Sequence, residues 1–366
     1  MELQESVISG GSLGGLLQFR SETLATAQNS LGRIAISLAD TFNAQQKLGI
    51  DLNGVLGQDF FSQASPGVIS NSRNAIPSGT VLASFSDTSR LTTSDYRLDV
   101  TAGPTFTVTR LSDNQIVTPE SGNIYDGVEL KFGGIVPTEG DSFLIQPTRT
   151  GARDLTVLIT DPAKVAAASP IITDNTFGNA GSGAISAGSV DAGFLAVAAP
   201  LGGTGTVTLT YDSATNELSG FPGGPVIYKS GDPITFNGIT VNISGVPADG
   251  DTFTIGENTG GVSDGSNALL LGALQNKKTI GNRTASFNDA YAQLVSTVGN
   301  KARQVQIANT AQTSLTAQIR SAQQSVSGVN QDEETANLLM FQQMYQANAK
   351  VIQTASTMFD AVLGIR

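Results

Sequence analysis

The sequence predicts an α+β multidomain protein, in which long helices from both chain ends form a bundle and two antiparallel β domains are inserted between them. Apolar residues recur at steps of three and four near both ends, and short β-branched or aromatic runs alternate with turn residues in the middle. The 366 residues also exceed one typical domain. We therefore expect a helical domain at 1–62, β domains at 63–168 and 169–262, and a second helical part at 263–366.

The first helical pattern covers residues 13–45 and ends at Lys47, Leu48 and Gly49. Its apolar stripe consists of Leu17, Leu24, Ala27, Leu31, Ile34 and Leu38. The residues that follow, 51–54, resemble the start of a calcium loop. The glycine comes at the fourth position instead of the sixth, however, so a plain turn is the favoured interpretation.

From residue 77 the apolar period changes to two, which predicts antiparallel strands. In the first β domain the predicted strands are 81–85, 96–100, 106–110, 128–132, 143–145 and 155–159. Gly, Ser and Ala dominate residues 174–193, which we interpret as a loop or linker. After it, strands are predicted at 194–198, 207–211, 226–228, 234–236, 239–243 and 253–255.

A ten-residue pattern that begins at Val136 recurs at Val246, 110 residues later. VPTEGDSFLI and VPADGDTFTI share a turn and the strand that follows it, which predicts two related β units from a duplicated or inserted module. A single large β domain is the alternative. The acidic turns offer too few carboxylates for calcium, so we interpret them as solvated hairpin turns.

Beyond residue 265 the helical period returns, with a short helix at 267–274 and a polar connector at 276–283. Ser286 and Asp289 have the spacing of a capping box, which opens a helix over 286–327 of about 60 Å. A turn at 327–330 leads into the terminal helix, and Asn330 is its expected N-cap residue.

The terminal helix carries a heptad seam, which organises the prediction of function. We call this set the terminal seam: Leu338, Phe341, Tyr345, Asn348, Ile352, Ala355, Phe359 and Val362. Met344, Val351 and Met358 widen the stripe, so it suits packing against more than one neighbour. Asn348 is its polar exception, and we favour a tolerated amide over a register-setting residue.

Composition excludes several kinds of site. The chain has zero Cys, zero His and zero Trp, so thiolate nucleophiles, imidazole bases and the usual zinc ligand sets are absent. A net charge of −11 without a basic patch argues against nucleic acid or anionic membrane as a partner. Neither a membrane span nor a cleaved signal is expected. We predict no enzyme activity, no cofactor and no metal.

Particular motifs resemble known proteins. Bacterial flagellar axial proteins share the C-terminal pattern SGVN, DEE, NL, FQQ, YQANAK, QTA and MFD, which lies between residues 327 and 360 here. The motifs SLGGLL and FR near residues 12–20, FN at 42–43, DFF at 59–61 and SFNDAY at 286–291 resemble the hook-associated protein 1 family specifically. The resemblance is strong over residues 10–61 and 267–366 and weaker through the β units.

The resemblance implies a structural subunit of the flagellum, exported unfolded without a cleaved signal peptide and assembled outside the cell between hook and filament. Its implied partners are the hook protein, the next junction protein, copies of itself and an export chaperone on the C-terminal helix. The terminal seam is then the expected assembly interface. The family begins with a longer N-terminal region, so we expect this chain to be truncated there, and the second β unit is additional to the one expected.

An extracellular adhesin or carbohydrate-binding protein is the alternative, with β modules on a helical stalk. Saturable sugar binding by residues 77–258 on a glycan array would favour it over the flagellar interpretation.

Overall fold

The computed structural model describes residues 10–102, 105–328 and 330–364. These residues form helices toward both chain ends, with antiparallel sheets between them, so the predicted α+β class is confirmed. The chain divides into two compact parts, Met1–Val298 and Gly299–Arg366. The four domain boundaries and the packing of both ends into one bundle stay predictions.

The N-terminal helical run consists of α1 (Gly11–Gln18), a π-helical segment (Phe19–Leu24) and α2 (Ala25–Gln46). The predicted helix is confirmed, but its apolar stripe is not the face that packs in the described residues. Leu24 and Leu31 are exposed and the other stripe residues are half-buried. The packed face of α2 is small and polar instead: Asn29, Gly32, Ala35, Ile36, Ser37, Ala39, Asn43 and Gln46.

Close backbone approach explains that choice of face. A Cβ atom built on Gly32 would lie 1.7 Å from the carbonyl oxygen of Thr148, so only glycine fits there. Ile36 follows one turn later and joins the core of the first sheets. Asn29 donates to the carboxylate of Asp95 at 2.9 Å. Backbone contacts and hydrogen bonds, more than large apolar side chains, therefore hold α2 against the first β unit.

The first β unit, residues 67–146, contains two antiparallel sheets among the described residues. One has the order β1-β8-β3-β4-β5 and the other the order β2-β7-β6. The strands are β1 (Gly67–Ser70), β2 (Val81–Phe85), β3 (Tyr96–Ala102), β4 (Thr105–Arg110), β5 (Gln115–Val117), β6 (Ile124–Tyr125), β7 (Val128–Phe132) and β8 (Ser142–Gln146). Five of the predicted strands are thus confirmed. β1, β5 and β6 were not predicted, because their residues show no clear alternation of apolar and polar side chains.

The predicted strand at 155–159 is wrong. This segment runs beside Phe60 and Ser62, where a single bridge joins Val157 to Phe61. It lies outside both sheets, so its apolar residues do not have a sheet face to cover. Leu158 is consequently 55% exposed.

The second β unit, residues 171–257, also has two groups of antiparallel strands in its described residues. Its elements are β9 (Ile171–Asn175), β10 (Ala184–Ile185), β11 (Ser189–Val190), α3 (Ala192–Ala196), β12 (Thr206–Asp212), β13 (Glu217–Ser219), β14 (Val226–Ile227), β15 (Pro233–Phe236), β16 (Ile239–Ser244) and β17 (Thr252–Glu257). The larger sheet has the order β14-β13-β12-β17-β9, and β16 pairs with β10, β11 and β15 in the other. The predicted strands after residue 200 are therefore confirmed.

Two predictions in this unit are wrong. Residues 194–198 do not form a strand, because the Asp191 carboxylate accepts a hydrogen bond from the Gly193 N–H at 2.7 Å and starts α3. Residues 174–193 are not a linker either, since β10 and β11 lie within them and pair with β16. These two-residue strands lack β-branched alternation, and their partner strand holds them in place.

Matching strand orders show that the two β units are related. The order β1-β8-β3-β4-β5 of the first corresponds to β9-β17-β12-β13-β14 of the second. Each unit has its own hydrophobic core, with Phe143 buried in one and Phe253 in the other. The matching orders and separate cores support two related β units over one large β domain, and the duplication itself stays a prediction.

The recurrent turn contains a buried carboxylate in each unit. Asp141 accepts hydrogen bonds from the N–H groups of Ala75 and Thr138, both at 2.8 Å. Asp251 does the same with Ala180 at 2.7 Å and Ala248 at 2.8 Å. We call this arrangement the carboxylate clamp.

An asparagine completes each clamp. Asn74 exchanges two hydrogen bonds with the backbone of Ser142, and Asn179 exchanges two with the backbone of Thr252. These partners satisfy the turn from within the chain. The interpretation as solvated hairpin turns is wrong, because Asp141 and Asp251 are each 3% exposed and the turns connect strands of different sheets, β7 to β8 and β16 to β17. The turn at 51–54 is an Asx turn, in which Asp51 accepts from the N–H groups of Asn53 and Val55.

The C-terminal elements are α4 (Ser266–Ala273), α5 (Phe287–Ser327) and α6 (Gln331–Leu363). The capping box that opens α5 is confirmed, because the Ser286 hydroxyl accepts from the Asp289 N–H and the Asp289 carboxylate accepts from the Ser286 N–H. Asn330 caps α6 by accepting from the Asp332 N–H at 3.1 Å. The predicted turn at 327–330 includes residue 329, which lies outside the described residues.

Within Met1–Val298, α4 packs on the end of α2. The Gln45 amide donates to Asn267 at 2.7 Å, and the Asn267 amide donates to the carbonyl of Ala166 at 2.6 Å. Asn267 is buried, so this polar contact is shielded from water. The start of the second helical part thus contacts the first.

Candidate assembly surface

The terminal seam lies along one stripe of α6, and all of its residues are exposed. Along Gln331–Leu363, which lies wholly inside the described part of the chain, no residue is buried. Leu338 is 68% exposed and Phe359 is 72% exposed. At 1.5 Å per residue, the 33 residues of α6 extend over about 50 Å. The structure therefore places the eight predicted residues together along one exposed stripe of α6.

Methionine and valine side chains beside the seam enlarge that surface. Met344, Val351 and Met358 are each more than half exposed. Methionine is flexible and polarizable, so it adapts to partners of different shape. Extended exposed apolar surface of this kind is characteristic of a protein interface.

Charges are few along α6. Asp332, Glu333 and Glu334 occupy the first turn, where carboxylates favour the positive end of the helix dipole. Lys350 is the one cation in Gln331–Leu363, and its ammonium contacts the side chain of Gln353 at 3.5 Å. Between Glu334 and Asp360 the helix consequently carries a single charge, so most of its length is neutral. Such a helix associates mainly by burying apolar area, at about 1.5–3 kcal/mol for each large side chain.

Asn348 is exposed like the rest of the seam. Both interpretations of this amide, tolerated residue and register-setting residue, depend on what faces it in an assembly. Asn348 therefore stays an open prediction.

Sequence reasoning missed a second exposed apolar surface. Leu13, Leu16 and Phe19 are each more than half exposed at the start of the N-terminal helical run. Their spacing of three is visible in the sequence, but the helical pattern we identified used Leu17 and Leu24 instead. The π-helical segment at Phe19–Leu24 shifts the helical phase between residues before it and residues after it. No residue type predicts such a segment from sequence.

Two of the shifted pKa values belong to groups with structural contacts. Hydrogen bonds from the Ser286 backbone and hydroxyl lower the pKa of Asp289, which caps α5. Burial raises the pKa of Tyr96, whose hydroxyl donates to Asp126 beside Arg110. These groups have their partners within the fold, so neither forms an open acid–base pair for chemistry.

Over residues 10–102, 105–328 and 330–364, carboxylates do not gather in groups of three or more that could hold a metal ion. Among those same residues, no helix combines the length and apolar character that crossing a bilayer requires.

Four protein-family models match consecutive parts of the chain. Residues 1–61 match the helical domain of flagellar hook-associated protein FlgK, 69–147 match the D2-like domain of flagellar hook-associated protein 1, and 170–236 match its D3 domain. Residues 322–365 match the C-terminal model of the flagellar basal body rod proteins FlgE, FlgF and FlgG. The last of these contains the terminal seam.

Curated relatives match over the full chain. Flagellar hook-associated protein 1 of Escherichia coli K12 is 33% identical over 373 residues, covering 100% of this chain and 51% of that protein. The Salmonella typhimurium protein of the same name is 35% identical, with 100% and 52% covered. This chain thus spans about half the length of the curated relatives it matches.

A solved structure has the same fold. The flagellar hook junction protein FlgK from Burkholderia pseudomallei aligns with a TM-score of 0.80 and 38% sequence identity. The alignment covers 89% of this chain and 65% of that one.

Proposed function

The chain belongs to the flagellar hook-associated protein 1 family, and from that membership we propose that it is a structural subunit of the junction between flagellar hook and filament. It assembles along the flagellar axis through its terminal helices. The observation that carries this proposal is the exposed terminal seam, because an apolar stripe about 36 Å long is unfavourable in water and becomes favourable when another helix covers it.

The proposed partners follow from the same surface. Copies of this chain, the hook protein and the next junction protein would cover the seam in the flagellum, and a dedicated chaperone would cover it during export. The protein would act outside the cell and reach its site without a cleaved signal peptide. Zero Cys supports this, since a chain that crosses a membrane unfolded cannot then form wrong disulfides.

No catalysis is part of this function. Contacts within the fold account for the clamp carboxylates and for the cap at Asp289. The adhesin alternative is not favoured, because the family matches cover both the helices and the β units. Saturable sugar binding on a glycan array would still support that alternative.

The test is genetic complementation with copurification. The whole protein that contains this chain, expressed in a strain lacking it, should restore filaments and should copurify with hook and junction proteins. Deletion of the second β unit should preserve more motility than deletion of α6. A strain that swims normally without the protein would contradict the proposal.

A further inference from the structure

The second β unit joins the helical part where its two connecting chain segments meet, and polar side chains hold them together there. We call this place the root of the unit. The side-chain amide of Asn258 donates to the carbonyl of Ser169 at 2.9 Å and to the Asp264 carboxylate at 3.1 Å. The same carboxylate oxygen accepts from the Ser169 N–H at 2.9 Å. The two chain segments that enter and leave the unit are thereby tied together at one place, which we call the root lock.

The two β units differ in how their cores relate to the helices. The core of the first unit includes Ile36 of α2, so that unit and the helix share one packed interior. The core of the second unit runs from Ile171 to Ile255 and is made of its own residues. Burial thus fixes the first unit to α2, whereas the second depends more on the root lock for its orientation.

An open cleft lies between the second β unit and the rest of this part of the chain. Its volume is about 650 Å³, and Leu195 of α3 faces a wall formed by residues 56–59 and 158–161 with Lys47 and Lys164. A neighbouring cavity of about 430 Å³ shares Leu195, Leu158, Lys47 and Asp59. Leu195 and Leu56 are both 42% exposed. Both walls of the cleft therefore present apolar side chains to water.

We propose that the second β unit pivots at the root lock, and that the cleft is the space into which α3 moves. Closure packs Leu195 against Leu158 and Leu56, which removes apolar surface from water. The ion pair between Lys47 and Asp59 is close to half exposed and stays at the rim, so closure does not desolvate it fully.

The chain segment after the lock suits such a motion. Gly260 has open space around its Cα, with no atom within 4 Å of where a Cβ would stand. A hinge requires only a few such positions that can absorb a change in backbone dihedrals. The open and closed arrangements of the second β unit then differ mainly in the width of the cleft. This inference does not depend on the proposed role at the flagellar junction.

Spin labels test the motion directly, because the chain has zero Cys and only introduced cysteines react. The double variant Leu158→Cys, Leu195→Cys reports the distance across the cleft by pulsed electron resonance. Leu56→Cys, Leu158→Cys is the matched control on a single wall. We expect a distribution for the first pair that is broader than the control and includes a shorter population.

Changing the lock should shift those populations. Asn258→Ala removes two side-chain hydrogen bonds from the root and should widen the cross-cleft distribution while leaving the control pair unchanged. A single cross-cleft distance as narrow as the control would overturn the proposal. If Asn258→Ala fails to fold, the width measured with the lock intact decides the question alone.

Discussion

At the scale of single residues, the carboxylate clamp shows how the fold keeps an anion away from water without a cation beside it. Asp251 is 3% exposed, and backbone N–H groups from two different loops point at it. Those hydrogen bonds, that of Ala248 foremost, lower the pKa of Asp251 below its ordinary value. For Asp141, burial raises the pKa, but the N–H groups of Ala75 and Thr138 outweigh it and the net shift is also downward.

The first prediction concerns the pH dependence of this clamp. Because the folded-state pKa of Asp251 is lowered, the charged group stabilises the fold above the ordinary pKa of about 3.9, and that stability is lost as the pH falls through the folded value. Asp251→Asn should therefore lower the thermal unfolding midpoint at pH 7 and flatten its change between about pH 5 and 2. Circular dichroism at several pH values measures both.

Asp232→Asn is the control for that prediction. Asp232 lies in the same unit and pairs with Lys229 at an exposed position, so its substitution should change the free energy of unfolding by less than about 0.5 kcal/mol. If Asp251→Asn unfolds at the same temperature as the unchanged protein at pH 7, the clamp is not a source of stability.

At the scale of elements, helix ends were predictable and the packed face of α2 was not. Ser286 with Asp289, and Asn330 before three acidic residues, are local signals that act within one turn, so sequence alone located them. The face of α2 is set by tertiary contact at Gly32. A backbone carbonyl from residue 148 approaches there, and no local pattern records that approach.

The strands likewise divide into those that local sequence predicts and those that depend on tertiary contact. Runs such as Val128–Phe132 alternate clearly and were found, whereas Ala184–Ile185 and Ser189–Val190 exist because β16 pairs with them. Residues 194–198 looked like a strand by composition, but the Asp191 cap turned the segment into a helix. For the candidate assembly surface, heptad spacing identified the terminal seam, while the exposed residues Leu13 and Leu16 lay outside the expected phase.

The second prediction tests the close approach at Gly32. Gly32→Ala adds a methyl group that would meet the Thr148 carbonyl, so the strain should outweigh the gain in helix propensity of about 1 kcal/mol. We expect net destabilisation of at least about 1–3 kcal/mol, as for other overpacked sites. Chemical denaturation measures it.

Gly15→Ala in α1 is the matched change, because nothing lies within 4 Å of its Cβ position. It should be neutral or stabilising by a few tenths of a kcal/mol up to about 1 kcal/mol. Equal stability of both variants would show that α2 does not depend on that backbone contact.

At the scale of the whole molecule, the chain combines two β units of matching strand order with a last described helix, α6, whose residues are exposed. The first β unit shares its core with α2, and the second has a core of its own. The relation between the units was readable because the turn and the strand after it recur together, from Val136 and from Val246. What covers α6 could not be read from one chain, since an interface depends on the partner's surface as well.

The third prediction follows from the separate cores. The N–H of Asn258 donates to the carbonyl of Pro170 at 3.0 Å, so the two ends left by excising residues 171–257 already lie side by side. The shortened chain should stay soluble and keep its helical circular dichroism, because few contacts cross the boundary. Loss of helicity on excision would show that the second unit is not a separate folding unit.

The central claim is that the terminal seam is an assembly interface, and one pair of substitutions tests it most directly. Ile352→Asp places a charge in the seam, which should prevent burial at a cost of several kcal/mol if the site is desolvated. Gln346→Asp places the same charge on the polar face of the same helix and should change stability by less than about 0.5 kcal/mol. The measurement is motility of cells that carry each variant, with expression and secretion confirmed equal. We predict lost motility and detached filaments for Ile352→Asp and near-normal swimming for Gln346→Asp, and equal motility of the two would contradict the account.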